Sequence, residues 1–124
     1  DIYPTLCDLA GFEIFNGLDG KSLLPILKNP NENVKEFAIS QYPRGKDLGY
    51  DHKKEIMGYS ITDGNLRYIS WQLYENKNKI LAEELYSLDS VRSSHINLVN
   101  VKEYKNKLIF MRNSLQNQLL NSKK

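Results

Sequence analysis

Apolar residues recur at helical spacing near both ends of the chain and alternate with polar residues in its middle. Near the start, three apolar residues fall on one helical face: Ile2, Leu6 and Leu9. Asp1 precedes them at a position suited to capping a helix, and Gly11 follows as a residue that commonly ends one. The pattern predicts a helix over residues 2–10, and a short apolar run predicts another over residues 21–27.

The middle of the chain predicts four β-strands. They cover residues 37–42, 56–62, 66–73 and 83–88, and Pro43 is expected to end the first of them. Polar stretches separate the first strand from the second and the third from the fourth. Short successive strands of this kind favour one antiparallel sheet.

The dipeptide Asp63-Gly64 lies between the second and third predicted strands and is a strong signal for a tight hairpin. If these two residues form the loop, Ile61 lies opposite Leu66 and Tyr59 lies opposite Tyr68. This register places apolar pairs on one face of the sheet, where they can pack against another element.

The last segment has the clearest helical pattern. Asn100 and Glu103 resemble a capping box at its start. Apolar residues then follow at spacings of three and four: Val101, Tyr104, Leu108, Met111, Leu115 and Leu119. Such a stripe needs a surface to cover, and the sheet supplies one. The sequence therefore predicts an α+β fold, a small four-stranded antiparallel sheet packed against a long C-terminal helix.

Composition agrees with an ordinary globular domain and excludes several classes of protein. The 124 residues are 40% apolar and 26% charged, and no apolar run approaches the ~20 residues of a membrane span. The net charge of +2 is far from the basic surface of a nucleic-acid-binding protein. The single cysteine, Cys7, excludes an internal disulfide, and its apolar neighbours favour a small buried side chain.

The sequence contains no catalytic or metal-binding constellation. His52 and His95 lack a second ligand residue at metal spacing, and no serine lies in a Gly-x-Ser-x-Gly turn. The adjacent Glu83 and Glu84 would point to opposite faces of a strand, so they could not act together on one bond. We therefore predict no catalytic residue and no metal ligand in this chain.

The polar segment over residues 44–55 is the best candidate for a binding loop. It brings cations close to aromatic residues, and this combination suits an anionic sugar through charge-assisted hydrogen bonds and ring stacking. The predicted substrate-facing residues are Tyr42, Arg44, Lys46 and His52. A flexible, solvated loop is the alternative that the sequence leaves open.

Several motifs, in order along the chain, resemble the sulfatase family. Residues 1–11 read DIYPTLCDLAG and residues 17–23 read GLDGKSL, as in sulfatases. The later motifs are similar to the branch that contains the iduronate-2-sulfatase-like enzymes or to sulfatase C-termini in general: SQYPR at 40–44, MGYSI at 57–61, Arg67-Tyr68 with Trp71, Glu84-Leu85-Tyr86, and Asn97-Leu98.

The resemblance implies the C-terminal part of an alkaline-phosphatase-like sulfatase. Residues 1–30 would be the end of the large domain or a connecting segment, and residues 31–124 the C-terminal α+β subdomain. The parent would hydrolyse sulfate esters on a sulfated glycan. This part would shape the substrate cleft and be inactive alone.

Calcium and formylglycine are implied for the missing N-terminal catalytic domain, which would be a partner of this chain together with the sulfated carbohydrate. No nucleic-acid partner and no membrane span are expected. The family resemblance implies that the parent protein is periplasmic, secreted or lysosomal. We expect the apolar residues of the segment over residues 1–27, Ile14, Phe15 and Leu18 among them, to be exposed in the isolated chain. The alternative from another class is a stand-alone, non-catalytic carbohydrate-binding or interaction module.

Overall fold

Two compact units divide the chain, Asp1–Glu36 and Phe37–Lys124. The computed structural model describes residues 1–44, 56–73, 79–89 and 95–121. Within these ranges, no helix is long and apolar enough to cross a membrane. The assignment of residues 1–30 to a larger domain stays a prediction.

The first unit contains two helices, α1 (Ile2–Leu9) and α2 (Leu24–Lys28). Helix α2 begins three residues later than predicted, with Pro25 in its first turn, where a missing N–H is tolerated. Asp1 occupies the N-cap position of α1, but its carboxylate does not cap the helix. Asp1 Oδ1 instead accepts a hydrogen bond from the Lys21 N–H, 2.8 Å away, and forms an ion pair with Lys35.

Side chains of α1 hold the segment that precedes α2. The Thr5 hydroxyl accepts a hydrogen bond from the Leu23 N–H at 2.9 Å, and the Ser22 hydroxyl donates to Asp8 Oδ2 at 2.6 Å. A Cβ at Gly20 would lie 2.8 Å from the backbone nitrogen of Asp1, so this close approach requires glycine. The motifs at residues 1–11 and 17–23 therefore bind each other.

The first unit exposes many large apolar side chains. Phe15 is exposed, as expected, whereas Ile14 and Leu18 are half-buried. Cys7 is also half-buried rather than buried. Further exposed apolar residues lie on α1, on α2 and just after α1: Ile2, Tyr3, Leu6, Leu9, Phe12 and Leu27.

The second unit is the predicted α+β fold, which is confirmed. Its antiparallel sheet has the order β1-β2-β3-β4. A 3-10 turn over Lys102–Tyr104 leads into the helix α3, Lys105–Asn121. The strands are β1 (Ala38–Arg44), β2 (Ile56–Thr62), β3 (Leu66–Leu73) and β4 (Ile80–Ser87).

The prediction that Pro43 ends the first strand was wrong. Strand β1 continues to Arg44, and Pro43 lies opposite Met57 of β2. Because β1 is an edge strand, the missing N–H of a proline can be accommodated on its unpaired side. This continuation places Arg44 on a rigid strand rather than in a loop.

The predicted hairpin register was also wrong, by two residues. Ile61 lies opposite Tyr68, and Tyr59 lies opposite Ser70. Asp63 Oδ1 accepts hydrogen bonds from the N–H groups of the two residues that precede Arg67, at 2.9 and 2.8 Å, which makes the turn longer than two residues. A shift of two residues keeps every side chain on its predicted face.

Helix α3 packs on one face of the sheet and forms the core with it. The fully or nearly buried apolar residues are Met57, Tyr59, Ile61, Leu66, Tyr68, Leu85, Leu108, Met111 and Leu115. Tyr104 and Leu119 are partly buried against this core, so the predicted stripe is confirmed. The predicted capping box is absent, because Val101 rather than Asn100 precedes the 3-10 turn and no side chain caps it.

A polar cluster joins α3 to the sheet at the side of the core. Arg112 donates to both carboxylate oxygens of Glu83, from Nε at 2.7 Å and from Nη2 at 2.9 Å. The Tyr68 hydroxyl donates to Glu83 Oε1 at 2.5 Å. Burial alone would raise the pKa of Glu83, but the hydrogen bonds from Arg112 and Tyr68 outweigh it and lower that pKa.

The outer edge of β4 is covered by the segment around Asn97. The Asn97 carboxamide oxygen accepts hydrogen bonds from the N–H groups of Leu85 and Val99, and its nitrogen donates to the Glu83 carbonyl. The Leu98 N–H donates to the Leu85 carbonyl at 2.7 Å. The Asn97-Leu98 motif therefore protects a sheet edge from pairing with other chains.

We expect the second unit to lose stability as the pH rises from about 10 to about 12. Burial, the hydrogen bond to Glu83 and the charge of Glu83 raise the pKa of Tyr68 to about 12. The unfolded chain, whose tyrosines ionise near pH ~10, therefore loses this proton first. Urea unfolding followed by circular dichroism at each pH measures the loss. In Tyr68→Phe the free energy of unfolding should decline less steeply over this pH range. An identical decline in both proteins would contradict the assignment of the loss to Tyr68.

Candidate functional site

The face of the sheet opposite α3, here called the outer face, carries aromatic and cationic side chains on neighbouring strands. Strand alternation and the observed register place them together. The residues that define the outer face are Tyr42, Arg44, Gly58, Arg67, Trp71, Glu84 and Tyr86.

The indole of Trp71 lies flat on the outer face because Gly58 opposes it on β2. A Cβ at Gly58 would lie 2.6 Å from Trp71 Cζ3, closer than real Cβ atoms come to other atoms. Any side chain at Gly58 would therefore lift the ring off the sheet. Gly58 itself is buried beneath it.

Arg44 and Glu84 hold the two sides of this indole. The Arg44 guanidinium carbon lies 4.9 Å from the centroid of a Trp71 ring, which is within cation–π distance. Trp71 Nε1 donates a hydrogen bond to Glu84 Oε1 at 2.7 Å. The ring is thus fixed in position and carries a cation on its exposed side.

A second cation–aromatic pair lies farther along the outer face. The Tyr86 hydroxyl donates to Glu84 Oε2 at 2.6 Å, and this hydrogen bond is the main reason that the pKa of Tyr86 is raised. The Arg67 guanidinium carbon lies 5.5 Å from the Tyr86 ring centroid. Glu84 therefore fixes both aromatic rings with one carboxylate.

Of the four residues predicted to face substrate, two lie on the outer face. Arg44 stacks on Trp71, and Tyr42 lies opposite Gly58 with 67% of its surface exposed. Lys46 and His52 lie outside the described residues. A role in substrate binding stays a prediction for all four.

Four residues of the outer face were not predicted as site residues, although they belong to motifs that resemble sulfatases. They are Arg67, Trp71, Glu84 and Tyr86. The alternation of β3 places Arg67 and Trp71 on one face, and the register of β4 adds Glu84 and Tyr86. Only this register, which the sequence does not give, brings the motifs together.

The two guanidinium groups of the outer face suit an anionic ligand. Within the described ranges, neither Arg44 nor Arg67 lies within ion-pair distance of a carboxylate. The Arg67 Nε is buried and has no hydrogen-bond partner there. Guanidinium groups that retain free donors recognise carboxylate, phosphate or sulfate oxygens through paired hydrogen bonds.

A cavity of about 520 Å³ lies at the far end of the second unit, between the β2–β3 turn and the start of α3. Two carboxylates line it. Asp63 accepts hydrogen bonds from the N–H groups of Asn65 and Leu66, and Asp89 accepts one from the Ser87 hydroxyl. Of the predicted residues that the structure describes, neither Tyr42 nor Arg44 lines the cavity. The outer face is therefore the better candidate site.

The described residues do not fit the metal or the modified residue of a sulfatase centre. In the ranges that the structure describes, no three His, Cys, Asp or Glu side chains are grouped so that they could hold an ion. Cys7 lies within α1 and is followed by Asp8-Leu9-Ala10, not by the x-Pro-Ser-Arg of the formylglycine motif.

Comparison with curated proteins finds sulfatases. No protein-family model matches the chain. The arylsulfatase K of Rattus norvegicus and that of Mus musculus are each 31% identical to it over 71 residues. This match covers 57% of the chain and 13% of each relative, so the chain spans a small part of their length.

Comparison with solved structures finds the same fold in larger chains. The structure of BT4656 in complex with its substrate, D-glucosamine-2-N,6-O-disulfate, has a TM-score of 0.74 and 24% identity. The phosphonate monoester hydrolase of Agrobacterium radiobacter has a TM-score of 0.67 and 20% identity. The alignments cover 99% and 98% of this chain but 24% of each solved chain.

Together these findings confirm the resemblance to sulfatases. The sequence relatives are named sulfatases, and the structural neighbours share the sheet and the C-terminal helix. The resemblance to the iduronate-2-sulfatase-like branch stays a prediction.

We expect Gly58→Ala to destabilise the second unit by roughly 1–3 kcal/mol, because the new methyl group would collide with the Trp71 indole. Trp71 is the one tryptophan of the sequence, so its fluorescence reports the displacement directly. Urea unfolding followed by this fluorescence measures both effects. Ser60→Ala, on the same strand and face, is the matched control and should change little. Equal urea midpoints for Gly58→Ala and Ser60→Ala would contradict the close contact between Gly58 and the Trp71 indole.

Proposed function

We propose that the chain is the C-terminal part of a sulfatase that hydrolyses sulfate esters on a sulfated glycan. The observation that carries the proposal is the 31% identity with arylsulfatase K over 71 residues. The fold shared with BT4656, which was solved with a disulfated glucosamine as its substrate, supports a sulfated sugar as ligand. The sulfated substrate of that neighbour is a property of that protein, and its transfer to this chain is part of the proposal.

Within such an enzyme, this part shapes the substrate cleft. Tyr42 and Arg44 lie where β1 leads into the segment that also holds Lys46 and His52. The stacked Arg44 guanidinium can donate paired hydrogen bonds to a sulfate group, and the neighbouring rings can pack against sugar. The chain's own contribution is to bind and orient substrate.

The bond-breaking chemistry belongs to another part of the enzyme in this proposal. Hydrolysis of a sulfate ester needs a nucleophile, a cation at the sulfuryl oxygens and an acid for the leaving group. A missing N-terminal catalytic domain would supply formylglycine and calcium, and it would be the partner of this chain. We infer a periplasmic, secreted or lysosomal location from the same family resemblance.

A second candidate function is a stand-alone carbohydrate-binding or interaction module. The observation that favours it is the outer face itself, which presents cations and aromatic rings, while the described ranges hold no group of His, Cys, Asp or Glu that could bind a metal ion. The two functions differ in whether a catalytic domain is encoded in the same reading frame.

We expect the protein encoded by the complete reading frame to release sulfate from a sulfated oligosaccharide in the presence of calcium. The 124-residue chain alone should release none from an aryl sulfate, because the proposal places the groups that break the bond in another part of the enzyme. Ion chromatography of free sulfate measures both reactions. In the complete protein, Arg44→Gln should raise KM roughly tenfold with a smaller effect on kcat, because it removes binding to the sulfate group.

The control for this experiment is Lys105→Gln, which removes one positive charge from the start of α3, away from the outer face. It should leave KM within about twofold of the unsubstituted protein. No sulfate release by the complete protein from any sulfated substrate would contradict the proposed function. Turnover by the 124-residue chain alone would contradict the placement of the chemistry elsewhere.

A further inference from the structure

The outer face contains the same arrangement twice. Arg44 lies over Trp71, and Arg67 lies over Tyr86. The polar atoms of both rings bind one carboxylate, that of Glu84. Each half thus consists of a guanidinium on a ring whose position is fixed by a hydrogen bond.

Within the described residues, no structural role accounts for the unpaired donors of Arg67. Its Nε is buried without a hydrogen-bond partner, and a buried donor left in this state destabilises the fold. The guanidinium has five N–H donors, and no carboxylate of the described ranges forms an ion pair with it. A ligand with anionic oxygens would bind the terminal N–H groups of this guanidinium, while Nε stays buried.

One sulfate group is too small to bind both arginines. Through Ile56, Arg44 lies level with Leu73 of β3, which is six residues from Arg67. This spacing separates the two arginine backbones by about 20 Å along the strands at ~3.3 Å per residue. A hydrogen bond spans only about 3 Å. The two guanidinium groups therefore suit two separate anionic groups of one ligand.

We propose that the outer face binds a multiply sulfated oligosaccharide, with one sulfate group at Arg44 and a second at Arg67. The sugar rings between the two sulfates span the outer face between the two stacked guanidinium groups. This inference rests on the proposed function, because it takes a sulfated glycan as the ligand. It adds that the glycan carries at least two sulfate groups, on different sugar rings.

Glu84 contributes to this selection. Its carboxylate lies between the two ring systems and already accepts one hydrogen bond at each oxygen, at 2.7 and 2.6 Å. A sulfate group placed above it would meet a like charge. The face therefore favours sulfates at its two ends over a sulfate at its middle.

The test is calorimetric titration of the 124-residue chain at low salt. The probes are a tetrasaccharide with two sulfate groups on different rings and the same tetrasaccharide with one sulfate group. The chain should bind the disulfated probe about tenfold more tightly, and Arg67→Gln should remove this preference while leaving the monosulfated affinity within about twofold. Binding should weaken with added salt.

Two further variants complete the design. Lys105→Gln removes a charge away from the outer face and should preserve the preference, which excludes an effect of net charge alone. If circular dichroism shows that Arg67→Gln is unfolded, Arg67→Lys replaces it. This variant keeps the charge but loses the paired donors, so the preference should fall about threefold.

An unchanged preference in a folded Arg67 variant would overturn the inference. Equal affinity of the unsubstituted chain for the two probes would also overturn it. The absence of binding to either probe would overturn it as well, and this is the result expected if the outer face instead docks on another part of the parent. The proposed function is judged separately, because sulfate release by the complete protein does not depend on which of these results is obtained.

Discussion

The register between β3 and β4 is the constraint on which both faces of the sheet depend. It places Glu83 beneath the sheet, where it binds Tyr68 and Arg112, and Glu84 above it, where it fixes the two rings of the outer face. A slip of one residue would exchange these two carboxylates. The core would then lose the acceptor of Arg112, and the outer face would lose the carboxylate that positions its aromatic residues.

Motifs that resemble sulfatases serve the architecture of this chain. Asp1 and Thr5 on α1 bind backbone N–H groups of the second motif, and Gly20 permits their close approach. Asn97 covers the edge of β4. These contacts give the motifs a physical purpose that is independent of catalysis.

The sequence predicted what local periodicity determines. The strands, the long helix and the opposite faces of Glu83 and Glu84 followed from spacings of two and of three to four residues. The hairpin register did not, because it depends on hydrogen bonds that the Asp63 side chain makes to its own turn. The arrangement of Trp71 and Glu84 depends in turn on pairing between strands that are distant in sequence, and no local pattern reports that pairing.

The most direct test of the outer face as a glycan site is a crystal structure of the chain with a disulfated oligosaccharide bound. The account predicts one sulfate group within hydrogen-bond distance of the Arg44 guanidinium and another at Arg67, with the sugar rings lying between them on the outer face. An oligosaccharide bound in the cavity between the β2–β3 turn and α3, with the outer face free of ligand, would contradict it.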